Sequence, residues 1–459
     1  MGRVKEPLKG KVREMPSSTN TSTKLQRVAE LARQAPEMAF TSLSHHVDIE
    51  FLHEAHRRVR KDGAVGVDGQ TAAEYEVRLE ENLQSLLGRF KSGTYQAPPV
   101  RRVYIPKGDG TGRKRPLGIP TFEDKILQRA VAMVLEAVYE QDFLECSYGF
   151  RPGRSAHQAL ETLWRGVMGM GGGWVIDLDI QSFYDTLDHG HLRSFLDRRV
   201  RDGVLRRTIG KWLKAGVLEE GSVRHSEEGT PQGGVISPML SNIYLHEVLD
   251  AWFELIVKPR LAGRAFLVRY ADDAVLVFSR EEDVRRVMEV LPKRFAKYGL
   301  TLHPVKTQVV DFRRPEVRQR DEPRGGGRQS FNVLGFTLHW GRSRAGRWVV
   351  KRKTATQRVS ATLRRIAVWC RQNRHEPIRE QHATLVQKLR GHYAYYGVTG
   401  NSRALARVAR QVERTWRKWL NRRSYRSCMN WPRFLRVLER YPLPRPRVVH
   451  SIYHSVARL

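Results

Sequence analysis

The chain has 459 residues, of which 40% are hydrophobic, and its 81 Lys and Arg outnumber its 48 Asp and Glu to give a formal net charge of +33. This composition excludes a fibrous repeat and disorder throughout, and the length suggests two to three domains. The three cysteines lie too far apart for a disulfide framework, a redox pair or a zinc finger, so we expect a reducing compartment.

The positive charge is concentrated toward the C-terminus. Residues 312–459 contain 35 Lys and Arg but only 7 Asp and Glu, a net charge of +28, and the first 311 residues carry the remaining +5. Such a field attracts polyanions, and nucleic acid is the polyanion that we expect. A solvated basic surface, as in ribosome-associated proteins, is the alternative, and it also implies RNA.

The predicted elements begin with a basic arm over residues 1–47, which has a Ser/Thr-rich stretch and a helix over residues 24–33. No apolar run in the chain reaches the roughly 18 residues of a membrane-spanning helix, so we expect a soluble protein with no membrane partner. A second helix is predicted over residues 49–60. Thr71 and Glu74 form a capping-box pattern that predicts the start of a third helix.

A β-hairpin is predicted over residues 100–120, because two β-rich runs flank a glycine-rich turn. Its arms carry Lys107, Lys114 and Arg115. A buried helix is predicted next, over residues 125–139, where apolar residues recur at helical spacing.

Short strands and intervening helices follow in the centre of the chain. Strands are predicted over residues 174–180, 266–268, 274–278, 299–302 and 332–339, and a helix is predicted over residues 281–297. Because no βαβ repeat occurs, this mixture indicates an α+β fold.

The rest of the chain is predicted to form three amphipathic helices with Arg-rich outer faces. Each helix has a stripe of apolar residues at helical spacing. The stripes comprise Val359, Leu363, Ile366 and Cys370; Leu385, Leu389, Tyr393 and Tyr396; and Leu405, Val408, Val412 and Trp416. The sequence therefore predicts a basic helical bundle.

Two adjacent carboxylates, Asp272 and Asp273, lie at the predicted tip of a hairpin between two apolar strands. An unneutralised charge pair is costly there, and a hard divalent cation is its natural partner. Neighbouring strand residues point to opposite faces, so both acids can serve one site only if the turn rotates one of them. The alternative is that both are turn and cap residues without a metal.

A third acid on a neighbouring strand would complete a site for Mg²⁺. Asp179 is the leading candidate, because it ends a predicted apolar strand. Asp177 lies on the same face as Asp179, and spacing alone leaves it open. Asp185 and Asp188 compete less well, because they follow in a predicted turn into a helix.

The Tyr-Ala-Asp-Asp motif at residues 270–273 resembles the catalytic box of reverse transcriptases. Segments that resemble other boxes of that family occur in the same order, at residues 115–120, 148–153, 179–185, 229–238, 299–307, 334–336 and 389–397. The first two of these and the last are similar to reverse transcriptase/maturases encoded by bacterial group II introns. The likeness runs from about Asp48 to Arg423.

The resemblance implies a right-hand polymerase. Its α+β fingers and palm would cover residues 48–340, and a basic helical thumb, the maturase (X) domain, would cover residues 341–423. A short basic tail over residues 424–459 would follow, either as a reduced DNA-binding segment or as the end of a linker. Many relatives append an endonuclease domain with histidines and paired cysteines, and we expect none here.

The resemblance also implies two-metal nucleotidyl transfer. Asp179 and Asp272 would bridge two Mg²⁺ ions, which Mn²⁺ could replace. Asp273 and the carbonyl of Ile180 would be further ligands. Tyr184 corresponds to the residue whose ring blocks a ribose 2′-hydroxyl, so deoxynucleoside triphosphates would be preferred, and a core aromatic is the alternative reason for this ring.

Residues of the predicted hairpin and of the matching boxes would bind the nucleotide. Lys107, Lys114 and Arg115 would contact the triphosphate, and Gln232 would lie close to a base pair. Lys306 would donate a proton to the leaving pyrophosphate. For each of the cations, a solvated surface position is the alternative.

Template and RNA contacts are assigned to basic and aromatic residues. Arg151 and Arg154 would clamp template phosphates, and Tyr395, interpreted as lying off the apolar stripe, would stack on a base. On the helical thumb, the predicted RNA-binding residues are Arg364, Arg365, Arg414 and Arg417.

The sequence thus predicts an RNA-directed DNA polymerase of the bacterial cytoplasm that also binds group II intron RNA and assists its splicing and mobility. Its partners would be the intron RNA, an RNA template with a DNA primer, deoxynucleoside triphosphates and target DNA. The alternatives are a host-adopted reverse transcriptase for phage defence or diversity generation, and an RNA-binding splicing factor with incidental polymerase activity. The oligomeric state stays open.

Overall fold

The computed structural model of the chain describes residues 18–106, 114–219, 222–224, 229, 233–315, 330–424 and 428–451. Within these ranges the helices are α1 Ser18–Gln34, α2 Ile49–Arg58, α3 Ala72–Glu76, α4 Leu79–Ser92, α5 Phe122–Tyr139, α6 Ala156–Met170, α7 His189–Arg199, α8 Gly203–Lys214, α9 Ser237–Leu245, α10 Glu281–Ala296, α11 Thr356–Gln372, α12 Ile378–Tyr396, α13 Ser402–Leu420 and α14 Trp431–Arg440. The strands are β1 Val100–Pro106, β2 Lys114–Ile119, β3 Trp174–Leu178, β4 Val217–Glu219, β5 Ser222–Arg224, β6 Ala265–Tyr270, β7 Asp273–Phe278, β8 Gln308–Asp311, β9 Phe331–Val333, β10 Phe336–Arg342 and β11 Trp348–Thr354.

The described strands form three sheets. The first has the order β2-β1-β4-β5, with β1 parallel to β4. The second is antiparallel and has the order β6-β7-β3-β8, so that β3 lies between β7 and β8. The third, β11-β10-β9, is also antiparallel. This mixture of helices and largely antiparallel sheets agrees with the predicted α+β class.

Two compact units alternate along the chain. The first comprises the described residues of Met1–Val103, Pro116–Leu144 and Ser182–Glu247, and the second those of Tyr104–Arg115, Glu145–Gln181 and Val248–Leu459. The predicted division into arm, polymerase, thumb and tail is a different one and stays a prediction. Among the described helices, none is both long enough and apolar enough to span a membrane.

The first unit is built around α5. Thirteen of the 18 residues of α5 are buried, because α1, α2 and α9 pack against it. The predicted capping box is confirmed: the Thr71 side chain accepts from the Glu74 N–H, and the Glu74 carboxylate accepts from the Thr71 N–H at 2.8 Å. The sequence therefore marked this helix start correctly.

In the second unit, the two antiparallel sheets share one apolar core, against which α6 packs. Trp164 on α6 donates to the carbonyl of Val350 at 2.8 Å, which joins the helix to β11.

The strand predicted over residues 299–302 is wrong, since only an isolated bridge between Leu302 and Ile180 forms there. The single strand predicted over residues 332–339 is also wrong. The chain turns at Leu334 and Gly335, which have φ of +49° and +80°, and forms the hairpin of β9 and β10 instead.

A second apolar core of this unit lies among α11, α12 and α13. Ten of the twelve residues of the predicted stripes are buried in it, and Leu363 and Tyr396 pack at its edge, so the predicted amphipathic helices are confirmed. Phe434 on α14 is completely buried in the same core. The helical cluster α11–α14 therefore continues beyond Arg423, where the thumb was predicted to end.

Candidate active site

The two adjacent carboxylates lie at the turn between β6 and β7. Tyr270 pairs with Asp273, so Ala271 and Asp272 form a two-residue turn, which we call the acid turn. Ala271 has a φ of +57°, a conformation that costs a residue other than glycine roughly 1–2 kcal/mol. Because Asp272 lies in the turn and Asp273 begins β7, the alternation along a strand does not force their side chains apart.

A neighbouring segment, residues 146–149, packs directly on the acid turn. A Cβ at Gly149 would lie 2.2 Å from the nitrogen of Ala271, so only glycine fits at this position. The Arg269 N–H donates to the carbonyl of Cys146, and the Tyr148 N–H donates to the carbonyl of Arg269, each at 2.8 Å. These contacts give a physical reason for the glycine in a motif that the sequence had matched only by resemblance.

Asp179 follows β3 at the end of the sheet where the acid turn lies. Leu178 pairs with Ala274 on β7, so the next residues outward on the two strands are Asp179 and Asp273. Asp179, the leading candidate from the sequence, is therefore the acid that the strand register places next to the acid turn.

A loop after α10 fixes Asp179. The carbonyl of Asp179 accepts from the Thr307 hydroxyl at 3.1 Å and from the His303 N–H at 2.8 Å. Lys306 of the same loop donates to both carboxylate oxygens of Asp179, at 3.0 and 3.1 Å. The carboxylate of Asp179 is thus held beside a cation and oriented by backbone contacts.

The acids that competed with Asp179 have different surroundings. Asp188 caps α7 by accepting from the His191 N–H at 2.6 Å, which is a structural role. Asp185 is exposed in the first unit. Asp177 is half-buried within β3, two residues before Asp179. The structure therefore favours Asp179, with Asp177 close by.

The clustered acids disfavour one another's charge. Desolvation, followed by the charges of Asp273 and Asp179, raises the pKa of Asp177 to about 7. Desolvation, followed by the charges of Asp272 and Asp179, raises the pKa of Asp273 to about 6. Desolvation is also the main reason why the pKa of Asp272 is raised.

This set of donors fits a hard divalent cation, because carboxylate oxygens are the ligands that Mg²⁺ prefers and its charge would offset their repulsion. Lys306 already supplies one positive charge at Asp179. In the part of the chain that the structure describes, no three Asp, Glu, His or Cys side chains converge into a complete metal site. The three acids thus lie at one end of the sheet, but their side chains do not converge into a complete set of metal ligands.

Two arginines add positive charge at the acids. The charge of Arg115, on β2, opposes the raised pKa of both Asp272 and Asp273, and the charge of Arg358, in the first turn of α11, opposes that of Asp273. Both arginines are exposed, as is Lys114 beside Arg115. Arg115 was predicted from the sequence. Arg358 was missed, because only the folding of a distant helix brings its charge near the acids.

The other predicted nucleotide-binding residues lie in the first unit or outside the described residues. Tyr184 belongs to the first unit, where it is half-buried and packs edge-on against Phe183 at 5.3 Å between ring centroids. Its role as a sugar gate stays a prediction. Lys107 and Gln232 lie outside the described residues.

The two predicted template clamps differ in exposure. Arg151 is only 7% exposed and donates to the carbonyl of Ser147 at 2.9 Å, so it supports the segment beside the acid turn. We correct its assignment on this ground and do not retain Arg151 as a template contact. Arg154 pairs with Glu145 at 2.7 Å and lies over the ring of Tyr148, so a phosphate would compete with Glu145 for it.

The predicted RNA-binding arginines of the helical cluster are not equivalent. Arg364, Arg365 and Arg414 are exposed. Arg417 instead donates to the carbonyl of Met429 at 3.0 Å and lies 4.5 Å from the ring centroid of Trp431. Arg417 therefore also joins α13 to the start of α14.

Tyr395 lies off the apolar stripe of α12, as predicted, but it packs against a different core. Its ring stacks on Phe336 at 5.7 Å between ring centroids, and its hydroxyl donates to the carbonyl of Leu334 at 2.9 Å. Tyr395 packs against the core of the two antiparallel sheets, because the C-terminal end of α12 docks on the hairpin of β9 and β10. The ring is half-buried and its hydroxyl is bonded within the protein, and its role as a stacking surface for RNA stays a prediction.

Comparisons with known proteins agree with the geometry. The model of a family described as "Reverse transcriptase (RNA-dependent DNA polymerase)" matches residues 105–338. Protein YkfC of Escherichia coli is 41% identical over 237 residues, which are 50% of this chain and 58% of that protein. The group II intron-encoded protein LtrA of Lactococcus lactis is 38% identical over 228 residues, 49% of this chain and 37% of that protein.

A more distant match is the mitochondrial protein Nuclear intron maturase 2 of Arabidopsis thaliana. It is 30% identical over 177 residues, which are 30% of this chain and 24% of that protein. In each of these three comparisons, the matched part spans less than two thirds of the relative's length.

Proposed function

The chain belongs to the reverse transcriptase family, and on this premise we propose that it is an RNA-directed DNA polymerase that also binds group II intron RNA and assists its splicing and mobility. The observation that carries the polymerase proposal is the meeting of three acids at one end of a sheet, with cationic side chains beside them. The residues are Asp179, Asp272, Asp273, Arg115 and Lys306. The likeness to a group II intron-encoded protein supports the choice of RNA partner.

Asp179, Asp272 and Asp273 would hold the divalent cations, with the carbonyl of Ile180 as a further ligand. Ile180 and Leu302 form an isolated β-bridge whose hydrogen bonds are made by the residues that flank them. The Ile180 carbonyl is therefore not used in the bridge and points to the other side of β3, where β7 lies. Bound Mg²⁺, or Mn²⁺ in its place, would supply Lewis-acid stabilisation of the attacking 3′-oxygen and of the leaving pyrophosphate.

Arg115 and Lys306 would act on the nucleotide. The guanidinium of Arg115 is exposed, and its charge opposes the raised pKa of Asp272. Its planar shape suits a bidentate contact with a phosphate. The ammonium of Lys306 lies at the edge of the site, from which it would donate a proton to the leaving pyrophosphate. Tyr184, Lys114 and the undescribed Lys107 and Gln232 keep their proposed nucleotide contacts, with deoxynucleoside triphosphates as substrates.

The helical cluster α11–α14 would serve as the thumb and as the intron-binding domain. Its interior is apolar, whereas Arg364, Arg365 and Arg414 are exposed on the surfaces of α11 and α13. Phosphate contacts from such arginines give affinity without sequence specificity, which suits both a template with its primer and a folded intron. Target DNA would be a further partner in mobility.

The polymerase proposal is tested with the double variant Asp272→Asn, Asp273→Asn, in which the acids are lost but the side-chain volumes are kept. We expect primer extension on an RNA template to disappear, because the negative charges that hold the cations are removed. Intron-RNA binding should persist, because its proposed surface lies on the helical cluster α11–α14 and not on the acid turn. Glu289→Gln, an exposed acid on α10, is the matched control and should extend primers normally.

DNA synthesis by the double variant at the wild-type rate would contradict the proposal. Loss of both primer extension and intron-RNA binding, with the fold intact by circular dichroism, would contradict the assignment of RNA binding to the helical cluster.

A further inference from the structure

Arg269 and Asp250 form an ion pair with both side chains 0% exposed. Arg269 Nε donates to Asp250 Oδ1 at 2.7 Å, and Nη2 donates to Oδ2 at 2.5 Å, so the pair is bidentate. A buried pair of this kind is weak evidence for stability, because the desolvation of both charges offsets their attraction. The position of this pair therefore calls for a role other than stability alone.

Other contacts of Arg269 run to the acid turn. Its Nη1 donates to the carbonyl of Ala271 at 2.9 Å, and its Nη2 also donates to the Ser147 hydroxyl at 2.8 Å. Ala271 is the residue at positive φ and directly precedes Asp272. Ser147 belongs to the segment that packs on the same turn. One guanidinium thus ties the strained turn to the segment beneath it.

We propose that Arg269 and Asp250 are positioning residues for the acid turn, an inference that rests on the polymerase function proposed above. Arg269 fixes the carbonyl of Ala271 and with it the conformation that presents Asp272 and Asp273. Asp250 orients the guanidinium of Arg269 and neutralises its charge. Neither side chain touches a substrate, since both are buried.

The chemistry of arginine suits this task. Its planar fork has several donors in fixed directions, so it bonds Asp250, Ser147 and the carbonyl of Ala271 together. Lysine has one compact ammonium on a flexible stem and does not reproduce that arrangement. Residues in a strained backbone conformation persist only when their surroundings over-determine them, and the turn at Ala271 is held in this way.

The test replaces the whole pair, in the variant Arg269→Met, Asp250→Leu, so that no unpaired charge stays buried. We expect a thermal midpoint and a template-primer affinity close to those of the wild type, because apolar replacement of a buried pair is often neutral. The kcat of primer extension should fall about 10- to 100-fold with KM for the nucleotide nearly unchanged, as for other residues that orient ligands of a metal site.

The matched control is a second buried arginine, Arg199, which donates to Asp142 at 2.9 Å and to backbone carbonyls of the first unit. The variant Arg199→Met, Asp142→Leu removes a pair in which Arg199 is buried and Asp142 half-buried, without touching the acid turn. It should lower the thermal midpoint further than the Arg269→Met, Asp250→Leu variant does, because four backbone carbonyls lose their donor instead of one. The kcat of the folded protein should stay at the wild-type value.

Wild-type kcat in the Arg269→Met, Asp250→Leu variant would overturn the proposal and leave the pair as a packing feature. Should that variant fail to fold, Arg269→Lys decides: a reduced kcat at an unchanged thermal midpoint supports the proposal, and a wild-type kcat overturns it. Failure of the proposed function is a separate result, since the wild-type chain itself would then extend no primer.

Discussion

The sheet end that carries the acids and the helical cluster α11–α14 are stabilised in opposite ways. At the sheet end, a pair of charged groups lies inside: Arg269 and Asp250 are completely buried and bonded to each other. In the helical cluster, the interior is apolar around Trp416, and the arginines lie on the surface. The chain segment of the cluster, residues 356–440, contains 20 Lys and Arg but only 4 Asp and Glu, a net charge of +16.

We relate this difference to two separate properties, the geometry of the acid turn and the proposed affinity of the helical cluster for RNA. A buried, hydrogen-bonded charge fixes a backbone conformation to within a few tenths of an ångström, which a catalytic site needs. Exposed arginines on an apolar helical core tolerate movement, since phosphate contacts depend mainly on charge. Variants that disturb one region should therefore leave the characteristic property of the other region in place.

The largest expected effect is on the stability of the helical cluster in Trp416→Ala. Trp416 is completely buried, and its Nε1–H donates to the side-chain oxygen of Gln381 at 2.9 Å. Removal leaves a cavity and an unpaired acceptor, so we expect a loss of about 3–5 kcal/mol in the free energy of unfolding. Chemical denaturation followed by tryptophan fluorescence and circular dichroism measures it.

The half-buried Trp419 on the same helix provides the control for this experiment. Trp419→Ala should cost clearly less than Trp416→Ala, because less apolar surface is exposed and less volume is lost from the core. Equal losses in the two variants would show that the helices are not held by the central apolar core.

The next effect concerns the acid turn, in Gly149→Ala. A methyl group at this position would meet the nitrogen of Ala271 at 2.2 Å, and the turn must move to accommodate it. We expect a cost of about 1–3 kcal/mol and a large drop in the kcat of primer extension, with RNA affinity unchanged. Gly169→Ala, where a Cβ meets no atom within 4 Å, is the control. Normal kcat in Gly149→Ala would mean that the turn need not be rigid.

The helical cluster and the sheets also differ in how much of their structure could be predicted from the sequence. The stripes of the helical cluster were predicted correctly, because a helical period is a local property of the chain. The hairpin at Leu334 was missed, since a leucine at positive φ gives no signal in the sequence. The packing of Tyr395 on that hairpin was missed for a related reason, because its hydroxyl bonds a residue some sixty positions earlier in the chain.

At the candidate site, the sequence identified the acids but not what holds them. Asp179, Asp272 and Asp273 were found from strand ends and from resemblance, and the sheet register brings them together. The contacts of Arg269 with Asp250 and Ser147 join parts of the chain that are distant in sequence, so neither spacing nor composition indicates them. Only the fold reveals which charged residues are inside.

The smallest effect, and the sharpest comparison, concerns two pairs of adjacent exposed arginines. Arg364→Gln, Arg365→Gln changes α11 of the helical cluster, and Arg285→Gln, Arg286→Gln changes α10, outside it, by the same charge. If the cluster binds RNA phosphates, the plot of log affinity against log salt should flatten by about 1 for each arginine–phosphate interaction that the α11 variant removes, and should keep its slope in the α10 variant. Primer extension at saturating template should stay normal in both variants, because the acid turn is untouched. Equal flattening in the two variants would mean that RNA senses the overall charge of the chain, and the helical cluster would lose its special role.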